Sequence, residues 1–226
     1  MEISAGSPFQ PKSGDSHNQF DPVAPFYPVL EQCVFGSHLN RTRHAFFDLV
    51  VEADRILLVA EGNGRFLTAL LTHKNTGYVE VIEKSPVMIR LAEARVRTLG
   101  EVRCDFKFIE SDFREYRSSQ QFDCVVTHFL LDLFNPPAQL SVIERIAELT
   151  TTNATWINVD FVPARTLRGD LLMRLQYAFF RIVSQVEAGR CFDESTVAAQ
   201  SGWTVSESLN FLGGFVVAKR YMKSRR

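Results

Sequence analysis

Ile56-Leu57-Leu58-Val59-Ala60-Glu61-Gly62-Asn63-Gly64 is the stretch on which the reading of this chain turns. Its first five residues form an unbroken apolar run of strand length. A half-solvated strand would alternate; an unbroken run fits a strand covered on both faces, as in a parallel sheet. The run stops at a glycine-bearing turn. Phe66, Leu67, Leu70 and Leu71 then recur at helical spacing until Asn75-Thr76-Gly77 ends the helix. A glycine-rich turn between strand and helix lets a ligand approach the backbone and points helix N–H groups at it. Taken alone, the same turn is equally an ordinary tight connection with no ligand.

Moving outward, the unit repeats. Tyr78–Glu83 reads as a second strand, followed by Ser85-Pro86, a capping side chain and a first-turn proline, and a helix to Leu99. Phe106–Ile109 is a third strand and Phe122–His128 a fourth. A helix from about Ala138 to Leu149 leads to a fifth strand, Thr155–Phe161. Strand and helix in strict alternation predict parallel strands joined by right-handed crossovers. Trp203–Leu209 and Phe215–Lys219, separated by a turn-like Asn210–Gly214, predict two further strands, one of them antiparallel. The expected fold is therefore α/β: a three-layer Rossmann-like sandwich with a mostly parallel seven-stranded sheet and one antiparallel strand near the C-terminus. Residues 1–20 read as a flexible lead-in, and 21–226 as a single domain with one or two helices ahead of the first strand. Leu167–Val186 reads as a long helical stretch, and within a Phe-rich second half, the half that usually supplies the substrate cover in a fold of this kind, residues 162–192 are the segment expected to cover a substrate.

Composition narrows the class. The chain has 226 residues, enough for one α/β domain with a full core. A formal net charge of -1 gives no ground for broad attraction to nucleic acid or an anionic membrane. No apolar run approaches the ~20 residues of a membrane span, and no signal-peptide pattern is present. Cys33, Cys104, Cys124 and Cys191 form no CxxC pair and have no accompanying His cluster. They read as reduced thiols in a cytoplasmic protein, with no metal site.

Four positions carry candidate chemistry. Gly62 and Gly64 supply the turn, but Ala60 and Arg65 break the GxGxxG form of a dinucleotide site. The carboxylate of Glu61 disfavours a neighbouring diphosphate and suits a ligand with an ammonium or sulfonium group. Glu83 ends the second strand 22 positions after Glu61. An acidic residue at about that distance is placed to accept hydrogen bonds from both hydroxyls of a ribose; it would otherwise be a surface side chain capping the next helix. Asp112-Phe113 follows the third strand, where a carboxylate can accept from an exocyclic amine and a ring can lie on a base, or where it simply caps a helix. His128 and Asp132 follow the fourth strand, at the sheet edge where open α/β folds bind ligands. His128 could orient substrate or act as a base, or merely hydrogen-bond locally, and Asp132 could do likewise or start a turn.

The set resembles class I S-adenosylmethionine-dependent methyltransferases. Ile56–Gly64 is similar to their first motif, Val79–Met88 to their second, and Phe122–Leu131 to their fourth-strand segment. Asp21-Pro22-Val23-Ala24-Pro25-Phe26-Tyr27 resembles the N-terminal helix of the quinone-biosynthesis type. Two departures stand out. Ala60 occupies the position of the family's first glycine, which costs little if its φ is negative. Leu58 replaces a frequent acidic residue, whose contact to the methionine amino group would pass to Glu61.

The resemblance implies S-adenosylmethionine as cofactor. Glu61, Gly62 and Gly64 would surround its methionyl and ribose part, and Glu83 its ribose hydroxyls. Met88 would pack near the adenine, with Asp112 and Phe113 on the adenine edge and face. His128 would sit near the methionine end, Tyr27 would close over the site, and His128 and Asp132 are the candidate bases. The acceptor is expected to be a small molecule, apolar or aromatic given the Phe-rich second half, and the protein a monomer or homodimer. Two other readings stay open. One is a non-catalytic relative that binds the same cofactor as a sensor or assembly partner. The other is an NAD(P)-dependent oxidoreductase, opposed by the broken GxGxxG and by the lack of a Tyr-x-x-x-Lys pair. Asn135-Pro136-Pro137-Ala138 lacks the stacking aromatic of a base-methylating motif.

Overall fold

The computed structural model describes residues 38–162 and 193–223. Two short helices, α1 (His38–Arg43) and α2 (Phe47–Glu52), precede strand β1 (Arg55–Val59). Then come α3 (Arg65–His73), β2 (Tyr78–Glu83), α4 (Pro86–Val96), β3 (Asp105–Glu110), β4 (Phe122–His128), a 3-10 turn (Leu131–Leu133) and α5 (Pro136–Glu148). After β5 (Thr150–Phe161), the described chain resumes with α6 (Ser195–Gln200), β6 (Trp203–Phe211) and β7 (Val216–Lys223).

The seven strands form one sheet in the order β3-β2-β1-β4-β5-β7-β6. β1 to β5 pair in parallel, and β7 runs antiparallel to both β5 and β6. The expected three-layer sandwich with one antiparallel strand is what forms.

The apolar run of β1 explains why the sheet is covered twice. Ile56 and Leu58 point into a core with Phe66, Leu67, Leu70, Val79 and Val126. Leu57 and Val59 point the other way, into a core with Ile82, Val125, Val142, Ile143 and Trp156. None of the four is more than 2 % exposed, and burying each side chain contributes about 1.5–3 kcal/mol. The two helix layers are capped as the sequence implies. Ser85 Oγ accepts from the Met88 N–H at 3.2 Å with Pro86 at the first position of α4. Asn135 Oδ1 accepts from the Ala138 N–H at 3.1 Å at the start of α5.

Strand limits differ from the sequence reading where pairing outvotes hydropathy. β5 begins at Thr150, not Thr155. Thr150 pairs with Phe122 and Thr155 with Cys124, so the polar Thr151-Thr152-Asn153 lies in a bulge between those two pairings. β7 runs on to Lys223 because it is sandwiched between β5 and β6. Lys223 Nζ bonds the carbonyl oxygens of Ala147 and Thr150 at 2.6 and 2.8 Å.

β1 ends at Val59, and Ala60 has φ +55°. The condition under which its missing glycine would cost little, a negative φ, is therefore not met. A left-handed conformation costs an L-residue about 1–2 kcal/mol. Its counterpart past β4, Phe129, has φ +54°. Both strained residues sit where neighbouring parallel strands diverge to crossovers of opposite direction, the switch point at which such sheets bind ligands.

Ala60→Gly should therefore raise stability, by about 0.5–1 kcal/mol after the extra freedom of an unfolded glycine is subtracted. Gly64→Ala should do the reverse. Gly64 has φ +80°, and a Cβ there would lie 2.7 Å from the Ala92 backbone, so about 2–4 kcal/mol should be lost. Urea unfolding midpoints of the two variants test both signs.

Candidate functional site

The turn after β1 is held open by side chains from other elements. Glu83, at the end of β2, accepts from the Gly62 N–H at 3.0 Å with one carboxylate oxygen and from the Ser85 N–H at 2.9 Å with the other. Arg95 of α4 donates to the Asn63 carbonyl at 3.2 Å. Gly62 has φ +72°, and a Cβ built on it would meet nothing within 4 Å among the described residues. Gly62 therefore faces open space, whereas Gly64 presses on Ala92. One glycine leaves room for a ligand and the other closes the helix packing.

Glu61 turns inward. It accepts from the Leu67 N–H at 3.0 Å and so satisfies an unpaired amide in the first turn of α3. Burial pushes its carboxyl up to about 7, against the opposing pull of that amide bond and of the Arg43 guanidinium. Arg43, at the end of α1, also lies over the Phe129 ring with its guanidinium carbon 5.0 Å from the centroid. Sequence reading did not single it out. Six-residue α1 carries no apolar stripe to place it, and only the packing of α1 over the sheet edge brings the charge to Glu61.

His128, at the end of β4, is 8 % exposed, and its ring meets Phe66 edge-on with centroids 4.7 Å apart. Its Nε2 is buried and has no hydrogen-bond partner among the described residues. Burial, with Arg43 and His44 nearby, holds its pKa well below the ordinary 6.5, so the imidazole is neutral. Beyond it, Phe129 packs on Phe161 at 4.9 Å and Phe161 on Phe215 at 5.2 Å. These rings make an aromatic strip across the carboxyl ends of β4 and β5 and the start of β7.

The other expected residues divide. Met88 is buried at the start of α4. Asp112 already accepts four donors: the Arg114 N–H (3.0 Å), Nε (3.1 Å) and Nη2 (2.8 Å), and Lys84 Nζ (3.3 Å). Burial opposes its ionisation, but these contacts outweigh it and hold the carboxyl down at about 2. Four contacts fill a carboxylate's acceptor positions, so a further donor must displace one; Lys84, with 57 % of its side chain exposed, is the loosest. The Phe113 ring belongs to the core with Leu57, Val59 and Ile82. Asp132 is 3 % exposed and faces Asp160 rather than the open turn. Tyr27 and residues 163–192 of the expected covering segment lie outside the described residues. Among the described residues no group of three His, Cys, Asp or Glu is placed to hold a metal, and no helix is long and apolar enough to cross a membrane.

Residues 56–153 match the family described as a methyltransferase domain. No curated protein matches the chain in sequence. Among solved structures, the chain is similar to the N-methyltransferase NodS from Bradyrhizobium japonicum WM9 in complex with S-adenosyl-L-homocysteine. The TM-score is 0.63 at 14 % identity, covering 88 % of this chain and 98 % of that one. It is also similar to magnesium protoporphyrin IX methyltransferase from Synechocystis PCC 6803 with the same bound molecule, with TM-score 0.63, 13 % identity and coverage of 86 % and 87 %. A third is the Burkholderia thailandensis 1,6-didemethyltoxoflavin-N1-methyltransferase, with TM-score 0.65, 14 % identity and coverage of 92 % and 87 %. The chain has the class I methyltransferase fold.

The raised Glu61 carboxyl gives a stability prediction. A carboxyl raised from 4.5 to about 7 on folding contributes stability that is present below pH 4.5 and lost as pH rises through 7. Glu61→Gln keeps an acceptor for the Leu67 N–H but cannot ionise. Its urea midpoint relative to wild type should therefore be higher at pH 8 than at pH 5. An equal difference at both values would contradict the burial of this charge.

Proposed function

We propose that this chain binds S-adenosylmethionine at the carboxyl ends of β1 to β4 and transfers its methyl group to a small apolar or aromatic molecule. The observation that carries the reading is the pairing of opposite charges around one open glycine. Glu83 holds the Gly62 amide, and the Arg43 guanidinium acts on both Glu61 and His128. A nucleoside joined to an amino acid asks for that donor and acceptor set: a carboxylate for the ribose diol, a carboxylate for the ammonium, and a guanidinium for the carboxylate. The cofactor supplies an electrophilic methyl on a sulfonium.

Glu83 is proposed to accept from the ribose hydroxyls while keeping the Gly62 amide in place, and Gly62 and Gly64 to admit the ligand beside the backbone. Glu61 takes the ammonium, which also favours its ionised form, and Arg43 takes the carboxylate. Met88 packs beside the adenine. Asp112 meets the adenine amine in place of Lys84, with the Phe113 ring supporting that loop from the core. His128, neutral and with a buried Nε2 that has no hydrogen-bond partner among the described residues, is proposed to orient the acceptor or take its proton. Asp132 acts from behind, through its neighbours. The aromatic strip Phe129, Phe161 and Phe215 favours an apolar or aromatic acceptor lying against it. Tyr27, within the segment that resembles the quinone-biosynthesis type, and residues 162–192 complete the cover. A net charge of -1 and the absence of a cysteine pairing pattern favour a cytoplasmic monomer or homodimer acting without nucleic acid.

Calorimetry with S-adenosylmethionine, S-adenosylhomocysteine and NADH tests the cofactor. Binding of NADH with no binding of the other two would overturn the reading. Glu83→Ala should weaken S-adenosylhomocysteine by about 1.5–3 kcal/mol, the range for a hydrogen bond to a charged group; unchanged affinity would remove Glu83 from the site. Arg43→Gln should weaken S-adenosylhomocysteine but leave 5′-methylthioadenosine, which lacks the amino-acid end, unchanged. A labelled-methyl assay over phenolic, amine and quinol acceptors reads turnover; silence despite tight binding would favour a non-catalytic relative.

A further inference from the structure

Three of the four donors on the Asp112 carboxylate come from one residue. Oδ1 accepts from the Arg114 N–H and Nε at 3.0 and 3.1 Å, and Oδ2 accepts from its Nη2 at 2.8 Å. The fourth donor is Lys84 Nζ, 3.3 Å from Oδ2. A guanidinium fork fixes both the plane and the direction of a carboxylate, which a single ammonium does not. The Arg114 guanidinium carbon also lies 5.4 Å from the centroid of the Phe134 ring. We infer that Arg114 is a positioning residue for cofactor selectivity: it fixes Asp112 so that Lys84 alone gives way, at Oδ2, to the exocyclic amine of the cofactor's base. The inference rests on the S-adenosylmethionine reading and goes beyond it in naming what sets the preference for adenine.

The turn that carries Asp112 and Arg114 is tied down at several points. The Ser111 N–H donates to the Glu83 carbonyl at 3.1 Å, so the turn begins beside the end of β2. The Asp112 carbonyl accepts from the Ser111 hydroxyl at 3.1 Å and from the Glu115 and Tyr116 amides at 2.9 and 3.1 Å. Arg117 Nη1 donates to the Arg114 and Tyr116 carbonyls, both at 2.9 Å. The Tyr116 hydroxyl donates to Glu80 of β2, and the Phe113 ring lies in the core. Phe134 follows the 3-10 turn after β4. That turn is fixed in its own right, because Asp160 of β5 accepts from its Leu131 and Asp132 amides at 2.9 and 3.2 Å. Arg114 therefore joins the turn after β3 to the turn after β4, with its fork on a carboxylate of one and its face on a ring of the other.

Lys84 is placed differently. Its side chain is 57 % exposed, against 37 % for Arg114 and 17 % for Asp112, and it directly follows Glu83, the proposed ribose acceptor. A single exposed ammonium contact contributes little and gives way readily, whereas withdrawal of Arg114 breaks three hydrogen bonds at once. Burial opposes ionisation of Asp112, yet Arg114 and then Lys84 hold its carboxyl down at about 2, so at neutral pH it only accepts. An amine on a base lying beside Glu83 therefore takes the Lys84 position on Oδ2. A base without that amine leaves Lys84 where it is and gains no bond. Preference for adenine thus comes from an exchange of donors on one fixed oxygen.

Titration calorimetry on the full-length protein tests this with two ligands: S-adenosylhomocysteine, and its analogue carrying hydrogen in place of the exocyclic amine. The ratio of their affinities isolates the amine. Wild type should favour S-adenosylhomocysteine about threefold or more. Lys84→Met keeps the length of the side chain but not the donor. It should raise the ratio about two- to fivefold, by tightening S-adenosylhomocysteine. Arg114→Lys keeps the charge without the fork and should bring the ratio to about one with both ligands still bound. A merely structural role for Arg114 weakens both ligands alike, so an Arg114→Lys ratio equal to that of wild type overturns the inference. A Lys84→Met ratio no higher than wild type overturns it too. Should Arg114→Lys not fold, Arg114→Gln takes its place under the same criterion. If wild type binds both ligands equally, the inference fails and the cofactor reading stands; if it binds neither, both fail.

Discussion

A single carboxylate joins the two loops on which the candidate site depends. Glu83 stands at the end of β2 and bonds at once to the amide of Gly62, in the loop after β1, and to that of Ser85, which starts α4. Parallel neighbours leave their loops side by side, but nothing in strand pairing fixes the height of one loop against the other. The Glu83 bond does so. It holds Gly62 in its left-handed conformation with open space where a side chain would be, and it orients the helix whose Ala92 receives Gly64. Charge-assisted hydrogen bonds of this kind are short and directional. The mouth is therefore shaped before any ligand arrives, which spares a ligand part of the ordering cost of binding.

The second constraint is burial of charge. Glu61, His128, Asp132, Asp160 and Glu194 all sit at or behind the carboxyl edge, and each is managed differently. Glu61 is balanced by a helix amide and Arg43. His128 stays neutral. Glu194 is matched by Lys219, Asn158 and Tyr221. Asp160 is held by the Leu131, Asp132 and Phe161 amides. Taking ionisable groups out of water costs free energy even where they are paired, so their concentration here, with two strained backbones at Ala60 and Phe129, marks the edge as the place where the fold gives up stability.

Structural residues can be told from site residues by what they satisfy. Glu80 is also buried, yet both its oxygens are taken by the hydroxyls of Tyr78 and Tyr116, which tie the turn after β3 back to β2. Lys74 is buried and donates to the carbonyls of Val51 and Ala53, closing the end of α2. These groups have no task beyond holding elements together. His128 Nε2 has no hydrogen-bond partner among the described residues, and that separates it from them.

The amino-acid sequence alone determined the order of strands and helices, the two-sided burial of β1 and the placing of Gly62, Gly64 and Glu83, because these follow from local periodicity, turn chemistry and spacing along the chain. It identified Asp112, Asp132 and His128 by position but not by state. Asp112 is held at low pKa by Arg114, two positions on, and by Lys84, 28 positions away, and whether a carboxyl lies beside another carboxyl or faces an open turn depends on partners distant in sequence. Asp132 and Asp160 are 28 positions apart, and Arg43 reaches Glu61 and Phe129 only through the packing of α1 on the sheet edge. The sign of φ at Ala60 was equally beyond sequence reading, since composition shows which residue occupies a turn and only the geometry of the turn shows what it costs. Local pattern built the frame, and tertiary structure decided which charges in it are satisfied, which are strained and which are left to act.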